Sequence, residues 1–167
     1  MNNNYENALN KIKKNKKCRP KYPMTIDNRG LNAYGGRFNN DPSCIQIVVG
    51  SESQIPLPNT MPNLNTTYTD NSITVNQAGV YEINYFINAS VEVATLLTLA
   101  VRVNGVNIPS TIISRLVEVD VGTIYSGSTI VTLAKGDEID MALSALLAVG
   151  ITLGTGVGAT LTVKKLN

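Results

Sequence analysis

The chain has 167 residues, two cysteines, no histidine and a formal net charge of +2, a length that allows one domain of about 150 residues with an appendage. Without histidine the commonest general base and zinc ligand is missing, and neither Cys18 nor Cys44 belongs to a CxxC pair, so the composition argues against thiol catalysis and zinc binding. No enzyme and no cofactor are expected, and Val, Ile, Thr, Gly and Asn in the second half favour strands joined by tight turns.

Residues 1–30 read as a basic N-terminal arm and residues 31–167 as the folded body. Seven of the fourteen basic residues (Lys11, Lys13, Lys14, Lys16, Lys17, Arg19 and Lys21) stand in the first 24 positions beside one acid, Glu6. The rest of the chain is mildly acidic. A basic block attracts nucleic acid or anionic membrane, but aromatic residues are sparse here and a solvated tail is the simpler reading. Neither nucleic acid nor a membrane is expected as a partner. Tyr5, Ala8, Leu9 and Ile12 share one face of a short helix, which is marginal in water without a surface to dock on. Tyr5, Leu9 and Ile12 are therefore the candidate docking residues of the arm. Pro20 and Pro23 then force an extended path. Met1 to Lys17 contains no apolar leader segment, so no classical signal peptide is expected. The apolar stretch 143–153 is too short and interrupted to span a bilayer.

From Ala33 onward the pattern is strand and turn. Strands are expected over 33–38, 44–49 and 72–75, with an irregular, proline-bearing segment over 54–65. The clearest strand is 80–90, where Tyr81, Ile83, Tyr85 and Ile87 alternate with Glu82, Asn84 and Asn88, Phe86 being the exception. Period-two alternation marks an antiparallel sheet with one wet face. Residues 97–103 repeat it, and Asn104-Gly105 marks a tight hairpin. Further strands are expected over 110–119, 122–133, 138–147, 149–153 and 160–166. Eight to ten strands at near-regular spacing predict an all-β sandwich or jelly roll of two antiparallel sheets.

The run 141–153 breaks the alternation and is apolar at successive positions. Such a strand needs partners on both faces, and exposed it would be prone to aggregate. A subunit interface is the most economical explanation, with Met141, Leu143, Leu146, Leu147, Val149 and Ile151 as its candidate residues; a deeply buried inner strand is the alternative. Asp137, Glu138 and Asp140 are the one dense group of acids, with Asp120 able to approach, and form a weak calcium candidate against the simpler reading of a solvated turn. Cys18 and Cys44 are a candidate disulfide, within or between subunits, worth roughly 3 kcal/mol on a loop-entropy basis.

Several motifs fall in a familiar order. Ala78-Gly79-Val80-Tyr81-Glu82-Ile83-Asn84-Tyr85 resembles the G-x-Y-x-hydrophobic strand of the complement-1q/tumour-necrosis-factor superfamily. Arg102-Val103-Asn104-Gly105 is similar to its central hairpin. The segment from Ser126-Gly127-Ser128 to Leu133-Ala134-Lys135-Gly136-Asp137-Glu138-Ile139 resembles its S-G-S…L-x-x-G-D-x-hydrophobic stretch. Residues 159–166 resemble the closing strand of the bacterial branch, which includes the C-terminal domains of collagen-like exosporium glycoproteins of spore formers. The resemblance covers about residues 33–166. It implies a jelly roll of about ten strands packed as a homotrimer, with calcium near the axis in some members, and a display role without catalysis. The run 141–153 would then be an axial strand. No Gly-X-Y stalk precedes the domain in this chain, and the basic arm stands in its place.

The expected function is that of a structural homotrimeric protein of a bacterial spore surface, either an exosporium or an appendage-fibre subunit. Its partners would be copies of itself and other spore-surface proteins. The stretch from Lys13 to Gly30 reaches roughly 60 Å when extended, enough to carry the Tyr5–Ile12 face to a neighbouring trimer. The alternative is an adhesin or lectin-like tip that binds through the trimer's loops.

Overall fold

The computed structural model describes residues 30–167. They form strands β1 (Tyr34–Asn39), β2 (Cys44–Ile47), β3 (Ser53–Gln54), β4 (Asn59–Thr60), β5 (Thr66–Thr69), β6 (Ser72–Val75), β7 (Gly79–Val91), β8 (Thr95–Val103), β9 (Val106–Asn107), β10 (Ile113–Val117), β11 (Thr123–Leu133), β12 (Glu138–Ala145), β13 (Val149–Leu153) and β14 (Ala159–Lys165). Three of these fourteen, β3, β4 and β9, are two-residue pieces. All pairings between strands are antiparallel.

Two seven-stranded sheets face each other. In the first, β11 pairs along its whole length with β7, over Gly79 to Ala89. Its other edge is shared by β14, which continues to β1 and β4, and by β13, which continues to β2. The second sheet runs β10-β8-β12-β6-β5, with β3 on β12 and β9 on β8. The alternation expected over 80–90 runs through β7 from Val80 to Val91: Tyr81, Ile83, Tyr85 and Ile87 enter the core, and Glu82, Asn84, Phe86 and Asn88 face outward and stay half-buried. Burying the odd set is the main driving force for this strand, at roughly 1.5–3 kcal/mol for a fully buried large side chain.

The Asn104-Gly105 turn has φ of 52° and 78°. Both residues are left-handed, the geometry of a type I′ turn, so β8 leads straight into β9. The segment expected as one strand over 110–119 is divided. Pro109–Thr111 is a 3-10 turn and only Ile113–Val117 is strand. Pro109 has no N–H to give a ladder, and buried Thr111 closes the turn, its Oγ1 accepting the Val101 N–H at 3.0 Å and donating to the Ile108 carbonyl at 2.8 Å. Strand β5 was not anticipated because Thr-Thr-Tyr-Thr carries no apolar alternation; it is held by pairing with β6 and by Thr66 Oγ1 donating to the Tyr34 carbonyl at 2.9 Å.

Arg37 ties the two sheets together. It is buried, donates from Nε to the Leu57 carbonyl at 2.7 Å, and lies 5.6 Å from the Tyr68 ring centroid. Desolvation pulls its guanidinium below the usual arginine value, opposed by Tyr68 and Asp70. Among the described residues no helix is long and apolar enough to cross a membrane.

Candidate functional site

The structure redistributes the candidate interface residues. Met141, Leu143, Val149 and Ile151 are buried inside the protomer's own core, so they cannot form the subunit-facing strand expected of them. The reason is topological. The apolar run is two strands in different sheets: β12 sends Ile139, Met141 and Leu143 inward from the second sheet, and β13 sends Val149, Ile151 and Leu153 inward from the first. The sequence reads as doubly apolar because the inward register restarts after the turn at 146–148. Only Leu146 and Leu147, in that turn, remain exposed.

The acids do not form the expected calcium cluster. Asp140 is buried and held by Arg102, whose Nε donates to Oδ1 at 2.8 Å and Nη2 to Oδ2 at 2.6 Å; Gln54 Nε2 also donates to Oδ2 at 2.7 Å. This bidentate contact is the largest cause holding the Arg102 guanidinium above its ordinary value. Glu52 adds a second ion pair to Arg102 at 3.4 Å. Asp137 shapes the turn before β12, accepting the Ala134 N–H at 2.8 Å and the Asn104 amide at 3.0 Å. Glu138 shares the outward face of β12 with Asp140 but is exposed. Asp120 sits in the loop joining β10 to β11, at the other end of the sandwich, with its N–H on the Val91 carbonyl. Among the described residues no group of three such side chains could hold a metal ion.

Cys44 is exposed on the outward side of β2, where the Gln46 amide donates to its sulfur at 3.3 Å. Cys18 and the arm residues Tyr5, Leu9 and Ile12 lie outside the described residues.

The surface that stands out is the outward face of the first sheet. The chain has two phenylalanines, and neither enters the core. Register places them in one row: Ser126, Phe86, Thr160 and Phe38 stand side by side on β11, β7, β14 and β1. The next row carries Ser128, Asn84, Thr162 and Gly36, and the one beyond it Ile130, Glu82, Lys164 and Tyr34. Lys164 and Glu82 approach to 3.6 Å across the strands. Ile124 and Ile130, both exposed, flank the face along β11. The face therefore offers three half-buried aromatic rings, Phe38, Phe86 and Tyr34, among small hydroxyl and amide groups, and chemically it can bind a complementary surface. The signal for it was present in the sequence: Phe86 is the one aromatic residue out of phase in its strand.

The same register explains the Ser-Gly-Ser motif. Gly127 lies opposite Tyr85 across the β11–β7 pair, and a Cβ at Gly127 would collide with the Tyr85 hydroxyl and ring. Burial raises the phenol pKa of Tyr81, Tyr85 and Tyr125 above the usual tyrosine value. Tyr81 and Tyr125 donate their hydroxyls to the carbonyls of Gln77 at 2.8 Å and Leu97 at 3.2 Å.

With this architecture described, its relatives can be set beside it. None of the curated proteins matches the sequence. Among solved structures, murine APRIL superposes with a TM-score of 0.57 at 12% identity, covering 80% of this chain and 98% of that one. Eiger TNF from S. frugiperda gives 0.56 at 14%, covering 83% and 94%. The globular domain of zebrafish complement 1qA protein gives 0.52 at 17%, covering 81% and 98%. At these identities the likeness speaks for the fold, a complement-1q/tumour-necrosis-factor jelly roll. The family described as the BclA C-terminal domain matches residues 35–167. The chain belongs to this BclA C-terminal domain family, that of the collagen-like exosporium glycoproteins.

Proposed function

We propose that the chain is a homotrimeric structural subunit of a bacterial spore surface, and that its N-terminal arm makes contact between trimers. The observation that carries this reading is the outward face of the first sheet, where both phenylalanines stand in one row outside the core. An aromatic side chain can bury about 150–250 Å² in all, and Phe38 and Phe86 stand only half-buried on this face, so a covering surface would bury what remains of both rings. Three inter-strand gaps from β11 to β1 and the length of β7 give this face about 15 by 40 Å, or about 600 Å². Standard interfaces take about 600–1,000 Å² from each partner, so a face of this size lies at the lower end of that range. Serines and threonines around the rings supply hydrogen bonds across the joint.

Family membership and the shared jelly roll support threefold packing and a place in the exosporium. The arm, with its roughly 60 Å reach, supplies the link between trimers. Cys44 lies exposed on β2, where the Cys18 of a neighbour can lock the joint as an intersubunit disulfide. The test is localisation. On intact spores carrying a tagged copy of the full chain, antibody should label the outside, and the label should leave with the outermost layer when that is stripped. Label confined to the interior fractions would overturn the reading. Capture of a soluble glycan or receptor by trimers lacking the arm, with the surface layer assembling normally, would favour a binding tip instead.

A further inference from the structure

We infer that the basic arm of one copy seats on the loop end of the next copy's sandwich, so that the body polymerises head to tail. This rests on the arm-mediated assembly proposed above and names the surface that receives the arm.

Four loops, residues 48–52, 92–94, 118–122 and 146–148, converge at one end of the sandwich. Register puts them there: Ile47 pairs with Val149, Val91 with Ile151, Val91 bridges Val119, and Thr95 pairs with Val117. Each loop exposes a large apolar side chain: Val48 is 66% exposed, Val93 50%, Val119 46% and Leu146 67%. Single exposed apolar residues are ordinary, but a cluster of them rimmed by charge marks an interaction site. A groove of about 420 Å³ runs between residues 49–52 and 144–146 on this end. The charge is of one sign. Glu52, Glu92, Glu118 and Asp120 lie in these loops, and the loops contain no lysine or arginine. One of these acids, Glu52, is paired to Arg102 at 3.4 Å; the other ion pairs among the described residues lie elsewhere and leave Glu92, Glu118 and Asp120 to the rim.

The arm is the complement of that surface. It carries seven basic residues in its first 24 positions, one acid, and the apolar set Tyr5, Leu9 and Ile12. An acidic rim around an apolar centre matches a basic segment with an apolar face, with charge steering the encounter and burial holding it. The arm also starts from the opposite end. Ala33 accepts the Lys165 N–H, Tyr34 pairs with Lys164, and residues 30–32 lie beside residues 165–167, where β7 begins. The loop end is the full length of β7 away, about 40 Å. Donor and receiver at opposite ends of one body make a heterologous contact, which repeats without closing and gives a filament. A threefold body brings three arms to each joint, which multiplies a weak single contact.

The experiment is the solution mass of the full-length chain against protomer concentration, at low and high salt. Three forms are compared: the wild type, a loop-end reversal (Glu92→Lys with Glu118→Lys), and an arm reversal (Lys13→Glu, Lys14→Glu, Lys16→Glu and Lys17→Glu). The wild type should exceed three chains at low salt. Each reversal alone should stay at three chains to at least about tenfold higher concentration. Mixing the two reversals, which pairs opposite charges at every joint, should restore growth. If the loop-end reversal assembles like the wild type while deletion of residues 1–24 abolishes growth, the receiving surface is wrong and arm-mediated assembly stands. If deletion of residues 1–24 leaves growth intact, arm-mediated assembly itself fails. If the wild type stays at three chains, with each arm folded back on its own trimer, head-to-tail docking is overturned.

Discussion

The Asp140–Arg102 pair should be a keystone of the second sheet, and removing half of it should cost far more than a surface ion pair does. The side chains are 11% and 15% exposed, on neighbouring strands β12 and β8. Asp140→Asn keeps the shape but leaves the Arg102 guanidinium with Glu52 alone at 3.4 Å. Breaking a fully buried pair costs 3–5 kcal/mol. The residual exposure and the Glu52 contact reduce this to about 2–3 kcal/mol, still well above the 0–1 kcal/mol of a solvated pair. In a domain of this size that lowers the melting temperature by roughly 5–10 °C. Arg102→Met should cost a similar amount, and the double variant Asp140→Leu/Arg102→Met should recover much of the loss, because a buried pair can be replaced by apolar packing. Thermal and urea unfolding at one fixed protomer concentration reads these values, since assembly adds to apparent stability. Single variants within about 0.5 kcal/mol of wild type would refute the reasoning and place the pair among ordinary surface contacts.

Gly127→Ala should destabilise the body by about 1–3 kcal/mol, as overpacking does, because its Cβ meets the Tyr85 ring; combining it with Tyr85→Phe should return part of that loss in urea unfolding. Alkali should weaken the fold. Burial raises the phenols of Tyr81, Tyr85 and Tyr125, so their contribution is complete below the unfolded tyrosine value of about 10 and is lost as pH rises through the higher folded values. Stability measured from pH 8 to 12 should fall beyond about pH 10, and more gently in Tyr81→Phe. Phe86→Asp with Phe38→Ser should shift the trimer midpoint to about thirtyfold or higher protomer concentration while leaving the far-ultraviolet circular dichroism unchanged; trimers of wild-type strength would clear these residues of the role.

Much of the fold was legible because its signals are local. β6 and β13 fall where the sequence placed them, β7 follows from alternation, and Asn104-Gly105 takes the turn its composition demands. The divided segment at 109–117 turned on Thr111 bonding back to Val101, which no periodicity reveals. The interface was misread for a related reason. Continuous apolar character over 141–153 is ambiguous between one strand covered on both faces and two strands that exchange sheets through a turn, and the second is what β12 and β13 do. The better clue was smaller: Phe86, one ring out of phase, gained meaning when register set it in line with Phe38. Asp140 looked like a metal ligand because its partner Arg102 is 38 residues away in sequence and only the β8–β12 pairing brings them together.

The central claim is that the body is a trimer built on the outward face of its first sheet. It is tested most directly by the absolute mass of the full-length protein from light scattering after size exclusion, in high salt, with and without reductant. The account predicts a particle of three 17.9 kDa chains with reductant, and multiples of three that collapse to it when any without-reductant species is reduced. A clean single-chain mass in both conditions would contradict it, and would return Phe38 and Phe86 to an unpaired face of a monomeric jelly roll.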